Sequence, residues 1–217
     1  MLGSAPSIAC STRLTVRYYA FRVIGLPEWP DALAAVQIEA TTHWIMRDHP
    51  HILAIHRTFI EWELYFLVFD FVPGGSILDA VAHCHEKGIA RCDLKPENIL
   101  DSEDGLSYFL SNFGLSTTKR RCSSRCTGSK PFQAPECIDP RIRDDYCTYE
   151  LRAAEIWSLG IALITMLVGR YPSVSARASE EHFAAYLINP VRMLCSHLPV
   201  TPECMSLLMH MLEVDPD

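Results

Sequence analysis

Residues 17–24 are dense in Tyr, Val, Phe and Ile, and this run reads as a β-strand. Residues 25–30 form a loop. From Pro30 the period changes. Leu33, Val36, Ala40 and Trp44 recur at spacings of three, four and four, which is one face of a helix. That helix should end before His49-Pro50, because proline disfavours helical backbone at the residue before it. Two more strands are predicted over 52–59 and 61–71. In the second, Trp62, Leu64, Phe66 and Val68 alternate with Glu63, Tyr65, Leu67 and Phe69. Pro73-Gly74-Gly75 breaks the pattern. Beyond it the periodicity turns helical, with helices predicted over 76–87, 151–168, 179–188 and 202–212. The stretch 156–168 is apolar on every side and is expected at the centre of a helical body.

The chain therefore divides into a strand-rich first third and a helix-rich remainder, joined at 70–75. Its 217 residues suffice for one large domain or two lobes. With 49% hydrophobic and 21% charged residues, a largely disordered chain is excluded. The formal charge of −7 argues against a dedicated nucleic-acid binder. The longest apolar run, 156–169, falls short of the roughly 20 residues of a membrane span, so no membrane partner is expected. Residues 1–10 carry no basic residue ahead of an apolar stretch, so a secretory signal is not expected. Nine cysteines without regular spacing fit a reducing compartment and give no zinc pattern. The expected location is intracellular, cytoplasmic or nuclear.

The chemistry concentrates in Arg91-Cys92-Asp93-Leu94-Lys95-Pro96-Glu97-Asn98-Ile99-Leu100. An Asp can orient and accept a hydroxyl proton. A Lys two residues on can neutralise a transferring phosphoryl group. An Asn three further can offer oxygen to a metal ion. Phosphoryl transfer needs this set of parts: positioning and charge neutralisation.

That string resembles the catalytic loop of the eukaryotic protein kinases, Ser/Thr type. Asn112-Phe113-Gly114 stands where the family has Asp-Phe-Gly. Ala134-Pro135-Glu136 resembles the motif that closes the activation segment, and Gly128-Ser129 the substrate-facing loop before it. Ile156-Trp157-Ser158-Leu159-Gly160 resembles the central helix of the C-lobe. The phrase from Gly128 to Cys137 resembles a fungal subgroup. The resemblance implies a two-lobed α+β kinase-like fold: an N-lobe over 1–72, with a small sheet and one helix, and a mainly helical C-lobe over 73–217. It implies ATP and Mg2+ as cofactors and a protein substrate or partner. By the same resemblance Asp93 and Lys95 are the catalytic residues. Ala20, Arg22, Glu39, Phe69, Asp70, Val72, Asn98 and Leu100 would face the nucleotide, with Phe69 as gatekeeper. Asn98 and Asn112 would hold metal.

Several positions depart from the family. Arg22 replaces the phosphate-holding lysine, and a planar guanidinium is not a conservative substitute for an ammonium. Asn112 replaces the magnesium-binding aspartate, which is expected to lower metal affinity. Arg91-Cys92 replaces His-Arg, so a phosphate on Ser123 or Ser124 would have to find Arg120, Arg121 or Arg125 instead. Glu155 replaces the aspartate that braces the catalytic loop, and the extra methylene is expected to disturb that bond. No Gly-x-Gly-x-x-Gly precedes the first strand; Gly3-Ser4-Ala5-Pro6-Ser7 is at best its relic. A helix and half of the next are missing after Gly75-Ser76. The sequence ends before the arginine that pairs with the Glu136 position.

Other residues keep two readings. Glu39 is either an exposed helix charge or the partner of Arg22. Phe69 serves as a core strand residue and a gatekeeper alike. His83 and His85, two apart on a helix, do not share a face for metal binding. Cys92 is either a tolerated neighbour of Asp93 or a reactive thiol.

Overall fold

A computed structural model describes residues 8–12, 15–25, 30–61, 64–70, 76–101, 108–123, 128–139, 148–196, 198 and 201–214. They belong to two compact units. Unit 1 takes the chain from 1 to 86 and again from 99 to 116; unit 2 takes 87–98 and 117–217. The sequence drew a single boundary at 72. In the structure the helix Ile77–Glu86 and the segment 99–116 also belong to the unit that carries the larger sheet.

Unit 1 holds a four-stranded antiparallel sheet in the order β1-β2-β4-β3. Its strands are β1 Ile8–Thr12, β2 Thr15–Gly25, β3 Ile55–Glu61 and β4 Leu64–Asp70. Three strands were legible as hydrophobic runs. β1 was not, because its Ser and Thr mask the pattern. The suggested glycine-loop relic at 3–7 lies outside the described residues. Register places Ala20 opposite Phe69, Arg22 opposite Leu67 and Tyr19 opposite Asp70. A bulge between Ile55 and Arg57 shifts the β3 pairing.

Helix α1 (Pro30–Met46) covers this sheet. Val36, Leu53, Ile55, Leu67, Phe69 and Phe109 form the core beneath it. The predicted helix is present, but its buried face is not the one predicted. Trp44 is 52% exposed and stacks under the Arg47 guanidinium at 4.0 Å. Ile38 and Ile45 are exposed as well. The buried positions are instead Val36, Glu39, Thr42, His43 and Met46. Their spacing is still helical. Their chemistry is mixed, because this face receives polar partners from another part of the chain.

Helix α2 (Ile77–Glu86) buries Ala80, Val81 and Cys84. A hairpin of β5 (Ile99–Asp101) and β6 (Tyr108–Leu110) joins the turn after α1, where the Leu110 N–H donates to the His51 carbonyl at 3.0 Å. In that turn three imidazoles meet. His49 stacks on His83 of α2 at 4.4 Å, and His51 approaches it edge-on at 5.2 Å. The backbone N–H of His51 donates to His49 Nδ1 at 3.3 Å, which requires His49 to be neutral. Burial holds the His49 pKa below the usual imidazole value, reinforced by His83 and His51 and opposed by Asp79 and Glu86. The unfolded chain therefore takes up a proton at His49 before the folded one does. Stability contributed here is full above about pH 6.5 and falls as pH drops towards the folded pKa. His49→Asn is expected to flatten the loss of melting temperature between about pH 7 and about pH 5. An unchanged slope would show that the loss arises elsewhere.

Unit 2 is built on helix α4 (Leu151–Val168), which spans the residues predicted from the sequence. By length and composition alone this 18-residue helix could cross a membrane, but half of it is buried, as in the core helix of a folded unit. It serves here as the core helix: Leu151, Ala154, Trp157, Leu159, Ile161, Ala162 and Ile164 are buried, while Met166 and Leu167 near its end are exposed. Its C-terminus stops at Gly169, whose left-handed φ of 75° lets its N–H reach the Thr165 carbonyl at 2.8 Å. Around it lie α3 (Pro135–Ile138), α5 (Glu181–Ile188), α6 (Pro190–Cys195) and α7 (Pro202–Met211). α6 was not foreseen, being too short to show a period. Its signal was Asn189-Pro190: the Asn189 side chain accepts from the Arg192 N–H, and Pro190 fits the first helical position. α7 begins likewise, with Thr201 accepting from Cys204 N–H ahead of Pro202. Trp157 meets Phe183 and Tyr186 edge-on, and the Tyr186 hydroxyl donates to the Leu212 carbonyl at 2.5 Å. Gly160 admits α7 closely: a Cβ there would lie 2.9 Å from Leu212 Cδ2. Two residues each of β7 (Arg121–Cys122) and β8 (Tyr149–Glu150) pair antiparallel ahead of α4.

Candidate active site

In unit 2 the segment 91–98 forms a loop that closes in a 3-10 turn, Pro96–Asn98. Cys92 takes a left-handed φ of 65°, which swings the following Asp93 out of line with the preceding chain. Glu155 on α4 holds the bend. Its Oε1 accepts the N–H of Arg91 at 2.5 Å and of Cys92 at 2.7 Å. The longer side chain was expected to disturb this brace, yet both bonds form. Arg91 is almost fully buried, and its Nη1 donates to the Asp93 carbonyl at 3.0 Å.

The Asp93 carboxylate is held from three sides. Lys95 Nζ lies 3.0 Å from Oδ2. Asn98 Nδ2 donates to Oδ2 at 2.9 Å and to the Asp93 carbonyl at 2.8 Å. The Ser129 N–H and hydroxyl both reach Oδ1 at 3.2 Å. Lys95 Nζ also donates to Ser129 Oγ at 2.8 Å, which closes a ring of three side chains. Burial pushes the Asp93 pKa up. The Lys95 hydrogen bond and charge, the Ser129 N–H and Asn98 outweigh it and hold the carboxyl below its usual value. Asp93 is therefore ionised at neutral pH and able to accept a hydroxyl proton's hydrogen bond. Gly128 is required by contact: a Cβ would lie 2.5 Å from the Cys92 carbonyl oxygen. Gln133 Nε2 donates to the Gly128 carbonyl at 2.6 Å and fixes this approach.

In unit 1 the motif Asn112-Phe113-Gly114 lies against the buried face of α1. Asn112 has a left-handed φ of 62°, which asparagine tolerates better than most side chains. Phe113 is fully buried and meets the His43 ring edge-on at 4.7 Å; on its other side His43 meets Phe69 at 4.8 Å. His43 Nδ1 lies 3.0 Å from the Leu53 carbonyl, and Thr42 Oγ1 3.1 Å from Ser116 Oγ. Glu39 is 2% exposed, so it is not an exposed helix charge. Its Oε2 and Asn112 Oδ1 both approach the space where Gly114 lacks a side chain, at 3.4 and 3.5 Å from an added Cβ.

The residues expected to face a nucleotide are placed as follows. Ala20 and Arg22 lie on β2, and Phe69 and Asp70 on β4, with Ala20 opposite Phe69. Leu100, on β5, is 37% exposed. Val72 lies outside the described residues. Glu136 is buried and engaged with a neighbour. Of the cations suggested as phosphate receivers, Arg120 pairs with Glu150 at 3.1 Å and Arg121 donates to Thr148 Oγ1 at 2.8 Å. Arg125 lies outside the described residues. The resemblance put Ser129 in the substrate-facing loop but not on Asp93, and gave Thr42 and His43 no role. The first was signalled by its place beside Gly128, the other two by lying three and four residues after Glu39.

Each unit taken by itself offers magnesium a poor donor set. Asn98 and Asn112 are neutral amides, and the Asn98 nitrogen serves Asp93. Among the described residues no group of three His, Cys, Asp or Glu could hold a metal ion. Magnesium sites usually rely on one or two carboxylates besides the phosphates.

The protein kinase domain family matches residues 75–217. The chain is 32% identical over 212 residues to the serine/threonine-protein kinase VHS1 of Saccharomyces cerevisiae, covering 82% of this chain and 46% of that protein. It is 30% identical over 204 residues to the yeast serine/threonine-protein kinase SKS1, covering 79% and 40%. With a negative regulator of sexual conjugation and meiosis from Schizosaccharomyces pombe it shares 27% over 219 residues, covering 82% and 46%. The chain thus spans under half the length of these relatives. Its strands and helices have the two-lobed α+β composition of that fold, and the chain belongs to the eukaryotic Ser/Thr protein kinase family, among relatives that are fungal.

Proposed function

We propose that this chain is a Ser/Thr protein-kinase domain that transfers the ATP γ-phosphoryl group to a protein hydroxyl at an impaired rate. The observation that carries the reading is the Asp93 carboxylate, ionised and fixed by Lys95, Asn98 and Ser129. A substrate hydroxyl donating to Asp93 would be oriented for attack. Lys95, already on Ser129 and Asp93, supplies positive charge beside it. Impairment follows from the other half of the chemistry. Asn112 offers no charge where the family has a carboxylate. A second reading is a non-catalytic binding module that engages other proteins. Asn112 favours it, because loss of that charge leaves the fold intact and removes only chemistry. Either way we place the protein inside the cell.

Thermal melting with ATP, with and without magnesium, separates the two readings. A ligand that binds the native state raises its melting temperature by mass action. The catalytic reading requires an upward shift at roughly millimolar ATP. No shift would end it and leave the binding module.

A further inference from the structure

Residues 117–135 carry five Lys and Arg and no Asp or Glu, in a chain whose formal charge is −7. The structure lays this basic segment along the catalytic loop, within unit 2. At its start, Thr117 and Ala90 exchange backbone hydrogen bonds at 2.7 and 2.8 Å. Further on, the Arg120 carbonyl accepts the N–H of Leu151, about one turn of α4 before Glu155, which holds the Cys92 N–H. Near its end, Ser129 reaches Asp93 directly, and Lys130 follows. The turn that carries Lys130 is fixed. The Phe132 N–H donates to the Ser129 carbonyl at 3.0 Å, the Phe132 carbonyl accepts from Ser158 Oγ at 2.7 Å, and the Phe132 side chain is buried.

The cations differ in what they face. Lys95 is engaged by Asp93 and Ser129, and Arg120 by Glu150. Arg121 donates to Thr148. Lys119 and Lys130 are exposed, and neither makes an ion pair among the described residues. Glu97 is the one exposed carboxylate of the loop 91–98. A lone surface lysine is ordinarily just a solvated charge. Lys130 differs by its place, one residue from the group that touches Asp93, beside the position of an acceptor hydroxyl.

We propose that Lys130 is a specificity-determining residue, and that the protein substrate of this chain carries Asp or Glu beside its acceptor Ser or Thr. The ammonium attracts a flanking carboxylate, and the same charge, with Lys119 nearby along the segment, repels a basic flank. The inference rests on the reading of Asp93 given above.

Three peptides test it, identical except that the acceptor Ser is flanked on both sides by Asp, by Ala or by Arg. The unmodified protein is expected to turn over the Asp peptide with a kcat/KM about fivefold above that of the Ala peptide, the difference lying in KM. The gap should narrow between about 0.05 and about 0.5 M salt, as screening shortens the reach of the charge. Lys130→Glu should bring the Asp peptide to or below the Ala peptide and raise the Arg peptide above both. Equal kcat/KM for the Asp and Ala peptides in the unmodified protein, or an Asp preference kept by Lys130→Glu, would overturn the proposal. If Lys130→Glu does not fold, Lys130→Ala takes its place, with the Asp-to-Ala ratio expected near one. If the unmodified protein transfers no phosphoryl group, the catalytic reading falls, and binding of a fluorescein-labelled Asp peptide decides alone. Binding about threefold or more weaker in the Lys130 variant then supports the acidic partner. Equal binding to both proteins, or none to either, refutes it.

Discussion

Asp93→Ala is expected to lower phosphoryl transfer by about 10²- to 10⁴-fold, the usual worth of a positioned general base. The carboxylate accepts from Lys95, Asn98 and Ser129, but without it Lys95 Nζ keeps Ser129 Oγ and Asn98 Nδ2 keeps the backbone carbonyl of residue 93. The loop is also still braced by Glu155 from α4. The fold should survive, and the loss should fall on turnover. Mass-spectrometric counting of phosphorylated peptide measures it directly. Transfer that persists unchanged in Asp93→Ala would mean that the measured activity comes from a contaminant or from other residues. Binding of a protein partner, if that is the chain's role, should be indifferent to the change.

Asn112→Asp is expected to act in the opposite direction. It replaces an amide by a carboxylate of nearly the same shape, so the left-handed backbone at that position remains acceptable. Phe113 keeps its packing on His43. What changes is charge, at a position where a neutral amide gives magnesium little to bind. Metal affinity follows the number of charged ligands, and one added carboxylate should raise magnesium-dependent nucleotide binding by about tenfold or more. The thermal shift with ATP should then become larger with magnesium than without it. An unaltered magnesium response would locate the impairment elsewhere, with Arg22 the next residue to test.

How far the sequence disclosed this molecule depended on whether burial follows hydrophobicity. For α4 it does, and the helix was legible to the residue. For α1 it does not. Counting Trp44 into the core and Glu39 out of it follows the ordinary rule. The helix instead turns its polar side inward, to Asn112, Phe113 and Ser116. α6 escaped for a simpler reason, six residues being too few for a helical period to show, and β1 because Ser and Thr interrupt its apolar run. The catalytic string was legible because spacing within one loop survives as spacing in sequence. Its support was not. Glu155 lies 64 residues from Arg91 and Ser129 lies 36 from Asp93, so only folding brings them together. The resemblance correctly assigned Glu155 a bracing place. That a longer side chain could still fill it follows only from the two bonds it makes.

The bends at Cys92 and Asn112 carry a consequence for repair. Neither residue is glycine, and a left-handed backbone costs an ordinary side chain about 1–2 kcal/mol. These turns are therefore imposed by their surroundings and not chosen by the residues that occupy them. Restoring Asp at 112 or Arg at 92 asks nothing new of the backbone. Each of the two substitutions then tests a side chain and not a turn.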